Sequence, residues 1–356
     1  MDITSTMSSG MKIIIAKPSN GMSLGDLLFS VPTKEAEEAA FHTLHTECMG
    51  RAKTIFSQHE DLIQQVEKEL VLIRQTHNAA KLLLVREIAR LSEELGYPVA
   101  TLGHESGLLT MYLLGMSGLN PSLYQFSLVP SELGLTDIQL HEDLSASLAI
   151  AAPVRRKLQR RLDQIFGAAT CSDRYFEQIF LPSLDLLEQI GRLARRTGVT
   201  YRNISLSDID LLQAVGNDLC ESARMQPIPI RTCMDAAVLF NYTICMNDED
   251  SPRPDFANAR KYLLQDNGAA LLQQYGFSAA EAFQISRNWS SGEKKESEIK
   301  LLEKHSVPQE YIKLFGTVEN VWNTASCLSR VRWRIMLKYY ELNYPRAYQE
   351  VMPKLS

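Results

Sequence analysis

The chain has no hydrophobic run long enough to cross a bilayer, and none of its six cysteines falls in a C-x-x-C spacing. A membrane-spanning helix requires roughly 20 consecutive apolar residues, and zinc knuckles require closely paired cysteines. We therefore expect a protein of the cytoplasm, including the nucleoid, with reduced thiols and no membrane partner. The net charge is -5, whereas proteins that coat duplex DNA typically carry an excess of positive charge.

The composition is otherwise that of a globular protein, since 45% of the 356 residues are hydrophobic and 22% are charged. A chain of this length can bury two or three cores.

Between Ile63 and Leu95 the apolar residues recur every three or four positions, which predicts a buried helical face. Segment 309–315, QEYIKLF, loosely resembles peptides that dock on sliding clamps, but its helical spacing favours buried packing.

A glycine turn follows the first of these helical stretches. Gly96 is suited to the position just after a helix, residues 97–102 read as a short strand, and Gly103 opens an apolar helix. Amide groups at the start of a helix attract anions, so this unit is a candidate phosphate site. The alternative is that the turn has only a structural role, because glycine turns before helices are common.

The block that contains this turn, GYPVATLGHESGLLTMYLLGMSGLNP at 96–121, resembles the palm of bacterial C-family replicative DNA polymerases. The similarity is to the PolC type of DNA polymerase III alpha subunit, in which a Gly-Ser-x-Gly-Ser turn holds the nucleotide phosphates. Here the five positions read ATLGH. The resemblance therefore implies a degenerate nucleotide-binding turn at Thr101, Gly103 and His104.

A second block, 279–352, is similar to the fingers region of the same family. It contains AFQISRNWSSGEKKESEIKLLEKHSVPQEYIKLF and ends in LKYYELNYPRAYQEVM. The family carries a Lys-Ala-His-Ala-Ala-Ala helix there, whose cations face the nucleotide. The resemblance places Thr324 and Ser326 at the lysine and histidine positions, so both cations are replaced by neutral side chains.

A third block, LTDIQLHE at 135–142, stands where the family has Pro-Asp-Ile-Asp-Leu-Asn with two of its three metal-binding aspartates. The resemblance matches Asp137 to the first aspartate, Gln139 to the second, and Phe180 to the third. Nucleotide polymerisation uses two divalent ions, and magnesium requires carboxylate ligands. We therefore expect Asp137 to be only a catalytic remnant, with no metal, no cofactor and no polymerase activity.

Two alternatives remain open. His141 or Glu142 could complete a magnesium site with Asp137, which would make the chain a divergent active DNA polymerase or nucleotidyltransferase. The chain could instead be a structural subunit of a larger assembly. The sequence does not indicate the oligomeric state.

Two sets of cations are candidate DNA-binding residues. The segment RRKLQRR at 155–161 places two basic clusters on adjacent helical turns, which suits phosphate contacts, although a solvated helix face explains it equally well. The helix VRWRIMLKYYELNY carries cations near Trp322 and Trp333, a pattern that suits single-stranded nucleic acid or simply a packed helix. The candidates are Arg155, Arg156, Lys157, Arg160, Arg161, Arg330, Arg334 and Lys338.

The predicted fold is α+β and predominantly α-helical, with a small palm-like nucleotidyltransferase sheet and a helical fingers-like region. The predicted function is a catalytically inactive PolC-type polymerase-like protein that binds DNA or a replisome partner. The predicted segments are an N-terminal strand and turn (1–32), a first palm-like part (33–142), a shortened thumb-like stub (143–176), a palm-like return (177–204) and a fingers-like helical domain (205–356).

Overall fold

The computed structural model describes residues 2–7, 11–16, 34–101, 107–124, 148–154, 156–157, 185–245, 255–291, 296–318 and 321–352. These residues belong to two compact units. The first unit contains the described residues up to Ser122 and those from 148 to Tyr201, and the second contains Leu123, Tyr124 and the described residues from Arg202 onward. Among the described residues, no helix is long and apolar enough to cross a membrane.

The first unit is built mainly from helices. Strands β1 and β2 pair in antiparallel fashion, as do β3 and β4. Helix α1 packs against α2 and α3, and α2 also contacts α4. The elements in chain order are β1 (Asp2–Met7), β2 (Met11–Ala16), α1 (Lys34–Ile55), α2 (Glu60–Gln75), α3 (Ala79–Glu94), β3 (Ala100–Thr101), α4 (Leu109–Leu113), β4 (Leu148–Ala149) and α5 (Asp185–Thr197).

The periodic stretch of the sequence forms α2 and α3, and its apolar side chains are buried as the spacing predicts. Val66, Leu70 and Ile73 lie on the buried face of α2, because residues three or four apart share one side of a helix. Helix α3 ends where Gly96 adopts a φ of 74°, a left-handed conformation that glycine accommodates without strain. The predicted role of Gly96 just after the helix is confirmed.

The described secondary structure of the second unit is helical. Helices α6, α7 and α13 pack against one another, and α9 packs against α10. The elements are α6 (Ile209–Ser222), α7 (Cys233–Cys245), α8 (Phe256–Ala259), α9 (Gln265–Gln274), α10 (Ala279–Ser291), α11 (Glu296–Lys304), α12 (Gln309–Thr317), α13 (Thr324–Asn343) and α14 (Pro345–Val351).

An aromatic cluster forms the core beneath α12. The Trp289 ring lies 5.3 Å from the Tyr311 ring and 5.6 Å from the Phe315 ring, measured between centroids. Tyr311 and Ile312 are both buried. The prediction that QEYIKLF is a packed helix is therefore confirmed, since its aromatic side chains face the core and are not available to a clamp.

The predicted palm-like sheet is wrong. The strands of the described residues form only two separate two-stranded pairs, and β3 and β4 contribute two residues each, while the rest of the regular structure is helical. The predominantly α-helical part of the prediction is confirmed. A two-residue pair cannot provide the broad sheet face on which a palm carries its acidic residues.

Within the stretch 97–102, which the sequence predicts to be a strand, Ala100 and Thr101 form β3, and side-chain contacts hold Tyr97. The Tyr97 carbonyl accepts a hydrogen bond from the Ser92 hydroxyl at 3.0 Å, so it does not need a neighbouring strand. The Arg195 guanidinium of α5 lies 4.3 Å above the Tyr97 ring and donates to the Tyr97 hydroxyl at 2.5 Å. Tyr97 is therefore held by contacts with α3 and α5.

We predict that Gly191→Ala destabilises the first unit. A Cβ at this position in α5 would lie 2.3 Å from Cδ1 of Tyr97 and 2.9 Å from the Gly96 carbonyl oxygen, which belongs to the backbone. Forcing these groups apart costs about 1–3 kcal/mol, more than the roughly 1 kcal/mol that alanine gains over glycine within a helix. Urea unfolding of the full chain measures the change.

Gly50→Ala is the matched control for this experiment. Gly50 also lies within a helix, α1, and a Cβ there would have no neighbour within 4 Å. The control variant is expected to match or exceed the stability of the parent protein. Equal losses of stability in the two variants would contradict the proposed close contact between α5 and the Gly96 turn.

Candidate nucleic-acid interface

Three of the predicted DNA-binding cations lie on one face of α13. Arg330, Arg334 and Lys338 are spaced by four residues, so their side chains leave the helix in nearly the same direction. Arg334 is exposed, whereas Arg330 and Lys338 are half-buried. The structure thus brings these residues together, and it also shows that their surroundings differ.

Two of the cations stack on aromatic rings. The guanidinium carbon of Arg330 lies 4.5 Å from the centroid of the Trp322 ring, and that of Arg334 lies 5.3 Å from the centroid of the Phe240 ring. The two rings meet edge to face, with centroids 6.1 Å apart. Both cation-to-ring distances fall within the roughly 6 Å range of cation–π attraction. We call Arg330, Arg334, Trp322 and Phe240 the cation–aromatic face.

The charge of Lys338 is neutralised within the unit. Its ammonium nitrogen lies 2.6 Å from a carboxylate oxygen of Asp218 in α6 and 2.6 Å from one of Glu341. Burial lowers the pKa of Lys338, but the hydrogen bonds to the two carboxylates outweigh burial and leave the pKa raised. The ion pairs of Lys338 therefore stabilise the second unit. A phosphate that approached Lys338 would have to compete with two carboxylates.

Neither Arg330 nor Arg334 forms an ion pair in the part of the chain that the structure describes. Burial lowers the pKa of Arg334, and the charge of Asp218 opposes that shift. The Nε atom of Arg330 is buried and makes no hydrogen bond to any described residue. Burial lowers the pKa of Arg330, yet arginine stays charged at neutral pH. A partly desolvated guanidinium without a counter-charge favours the approach of an anion.

Buried hydrogen bonds fix the position of Trp322. Its backbone N–H donates to Oδ1 of Asn241 at 3.2 Å, and its carbonyl accepts from the N–H of Gln265 at 3.0 Å. Asn241 is fully buried in α7, and its side-chain amide also donates to the Leu263 carbonyl. The Trp322 backbone is thus held from both α7 and α9, which presets the ring beneath Arg330.

The start of α13 is capped from within the protein. The Asn323 side chain accepts a hydrogen bond from the N–H of Ser326 at 2.8 Å, and Asp266 accepts from the N–H of Thr324 at 2.5 Å. Thr324 is 1% exposed and Ser326 is 5% exposed. The two positions at which the resemblance places nucleotide-facing cations therefore carry neutral side chains that point into the core.

The remaining predicted site residues are spread over the first unit or fall outside the description. Thr101 pairs with Leu148 across β3 and β4. Arg156 and Lys157 are helical and exposed, as phosphate contacts or a solvated face both require. The residues that lie outside the described parts of the chain are Gly103, His104, Asp137, Gln139, His141, Glu142, Arg155, Arg160, Arg161 and Phe180. In the ranges that are described, no three His, Cys, Asp or Glu side chains are grouped as metal ligands.

Sequence reasoning missed Phe240 and Asn241. Both lie in the apolar run AAVLFNYTIC of α7, which by itself indicates only a buried helix. The available signal was the asparagine, because a polar side chain inside an apolar helix must find hydrogen-bond partners when it is buried. Its partner, Trp322, lies 81 residues further along the chain, so the pairing could not be read from local spacing.

Comparison with known proteins adds no name to this site. No protein-family model matches the chain, and no curated protein matches it. The interpretation of the cation–aromatic face therefore depends on its geometry and on the motifs of the sequence itself.

We predict that Trp322 is the tryptophan accessible to a fluorescence quencher. It is half-buried, whereas Trp289 is 0% exposed and Trp333 is 1% exposed. Acrylamide should quench one component of the emission, and Trp322→Phe should abolish that component. Arg330→Ala should increase the quenching constant, because it uncovers one face of the ring.

Trp333→Phe serves as the control, since it removes a buried tryptophan and should leave the accessible component unchanged. Quenching that persists in Trp322→Phe, or that is insensitive to Arg330→Ala, would contradict the described stacking.

Proposed function

We propose that this chain is a non-catalytic polymerase-like protein that binds single-stranded nucleic acid through the cation–aromatic face. The observation that carries the proposal is the pair of guanidinium groups, Arg330 and Arg334, which stack on fixed aromatic rings and form no ion pair with any described residue. The site of action proposed with it is the cytoplasm, where nucleic acid is accessible.

The geometry favours single strands over duplex. Unpaired bases stack on aromatic rings and on guanidinium planes, while the phosphates between them pair with cations. A duplex hides its base faces and is bound mainly through many phosphate contacts. The face offers two cations that form no ion pair with a described residue. Asp218 and Glu341 add negative charge beside Lys338, and the charge of Asp218 also acts on Arg334, which disfavours a long track of duplex phosphates.

The lack of catalysis is supported by two features. Thr324 and Ser326 are neutral and buried where the resemblance requires nucleotide-facing cations. Gln139 and Phe180 replace two metal-binding aspartates in the same comparison of motifs, and neither side chain can neutralise a divalent ion. A chain with these replacements can still offer a surface that binds nucleic acid, but it lacks the metal-binding and nucleotide-binding side chains that DNA synthesis requires.

We predict that the double variant Arg330→Ala, Arg334→Ala weakens binding of a fluorescent single-stranded oligonucleotide by roughly tenfold or more, because two phosphate or stacking contacts are lost. Fluorescence anisotropy over a salt series measures it. The slope of log K against log salt should decrease by ~1.4, since each lost phosphate contact to a single strand accounts for about 0.7. Duplex DNA of the same sequence should bind more weakly to the parent protein.

The double variant Arg260→Ala, Arg287→Ala is the matched control, because it removes the same charge from two exposed arginines of the second unit. Its affinity and salt slope should stay close to those of the parent. Equal effects of the two double variants, or no binding by the parent at low salt, would overturn the proposal.

A primer-extension assay tests the catalytic part separately. With magnesium or manganese and all four nucleotides, we predict no extension by the parent protein, because a single remaining aspartate cannot hold two divalent ions. Asp137→Ala is the comparison variant. Extension by the parent that is abolished in Asp137→Ala would instead favour a divergent active nucleotidyltransferase.

A further inference from the structure

Helix α2 buries a carboxylate that has no cationic partner among the described residues. Glu69 is 1% exposed, and its two oxygens accept hydrogen bonds from four donors. The N–H of Thr110 donates at 2.9 Å and its hydroxyl at 2.9 Å, the N–H of Leu109 donates at 3.2 Å, and the side chain of Gln65 donates at 3.4 Å. Glu69 thus joins α2 to the first residues of α4.

The charged groups around this carboxylate are committed elsewhere. Arg86 of α3 lies 2.9 Å from Glu47 of α1, and Arg51 of α1 lies 3.9 Å from the same carboxylate. Arg51 also donates to the Leu113 carbonyl at the end of α4. Glu47 therefore forms ion pairs with both guanidinium groups, whereas the contacts given for Glu69 among the described residues are hydrogen bonds.

The other titratable group near Glu69 is the thiol of Cys48 in α1. Burial and the charges of Glu47 and Glu69 raise the pKa of Cys48 to about 12, against the lowering effect of the Arg51 and Arg86 charges. The thiol is therefore neutral at physiological pH and does not titrate together with Glu69. Burial also raises the pKa of Glu69, to about 7, against the lowering effect of the Thr110 and Leu109 donors. Both protonation states of Glu69 are populated near neutrality.

We propose that Glu69 is a proton-sensitive clamp between α2 and α4, in which the Thr110 hydroxyl reverses its hydrogen bond when the carboxylate takes up a proton from solvent. The two amides can only donate, whereas a hydroxyl donates or accepts. When Glu69 is charged, the Thr110 hydroxyl donates to it. When Glu69 is neutral, its own O–H donates to the Thr110 oxygen and the hydroxyl hydrogen rotates away from the carboxyl, so the contact between the two side chains is kept in both forms.

The clamp lies a few residues after positions 100–104, at which the resemblance places a degenerate phosphate-binding turn. An internal carboxylate occupies the amides of Leu109 and Thr110 at the start of α4. The protonation state of Glu69 therefore sets how firmly α4 is held. This inference does not depend on the proposed binding of nucleic acid.

The sign of the pH dependence follows from the raised pKa. A carboxyl whose pKa is higher in the folded than in the unfolded state contributes stability that is full below the unfolded pKa of 4.5. That contribution falls as pH rises from there through about 7, and it is absent at higher pH.

The first test compares the free energy of unfolding of the parent protein and of Glu69→Gln from pH 5 to pH 9. The difference, parent minus variant, should fall as pH rises towards 7 and should be flat in the alkaline range. Subtracting the variant removes the contributions of the seven histidines. A difference that is flat throughout would overturn the proposal.

The second test uses Thr110→Val, which keeps the shape of the side chain and removes the hydroxyl. The measured quantity is again the difference in unfolding free energy caused by Glu69→Gln, now in the Thr110→Val background. Because the hydroxyl stabilises the charged carboxylate, its loss should move the pH midpoint of this difference upward by roughly 0.5–1 pH unit, the effect of one hydrogen bond. Thr110→Ser restores the hydroxyl and should restore the midpoint. A midpoint that is unchanged or lower in Thr110→Val would contradict the clamp, since a purely structural role of Thr110 would change stability without raising the midpoint.

Carbon NMR of the folded parent protein, labelled at glutamate carboxyl carbons, tests the clamp without reliance on a destabilised variant. One carboxyl resonance should titrate near pH 7, and it should be missing in Glu69→Gln. A spectrum in which every glutamate titrates near its ordinary value of 4.5 would overturn the proposal.

Discussion

The second unit depends on the hydrogen bonds that hold the start of α13. Asn241 and Gln265 bind the backbone of Trp322, and Asp266 binds the N–H of Thr324. Asn241, Gln265 and Asp266 are all buried, so leaving any of these groups unpaired would carry the full desolvation cost of about 1–3 kcal/mol. These bonds fix where α13 begins, and the register of every residue along that helix follows from this point.

That register decides what each face of α13 does. Its inner face carries Val331, Trp333 and Ile335, which are buried in the core. Its outer face presents Arg330 and Arg334 to rings contributed by α7 and by the segment before α13. Packing on the inner side of α13 sets the position of the cations on its outer side. The core therefore holds the cation–aromatic face in place.

Helical periodicity was a good guide to the chain. It predicted the buried faces of α2 and α12, and the φ of Gly96 agrees with its predicted place after α3. Both features are local, because a helix bonds to itself and a helix end is completed within a few residues. The sequence therefore contained nearly all the information that these elements need.

The sheet was predicted wrongly because a short strand was taken as part of a larger sheet. Ala100 and Thr101 form β3, whose described partner is the two-residue β4, and the Tyr97 carbonyl accepts from the Ser92 hydroxyl. Arg330, Arg334 and Trp322 could be named as candidates from the sequence, since they share one segment of it. Phe240 and Asn241 come from a helix far upstream, and only the folded chain brings them beside these residues.

The two-part origin of the cation–aromatic face limits how the protein can be divided for study. The ring beneath Arg334 and the amide that holds Trp322 both belong to α7, whereas both guanidinium groups belong to α13. A C-terminal fragment that begins at α8 would keep both arginines of the face and Trp322, but it would lose Phe240 and Asn241. Expression boundaries for this half of the molecule should therefore be placed ahead of Cys233, even though the arginines lie about a hundred residues beyond it.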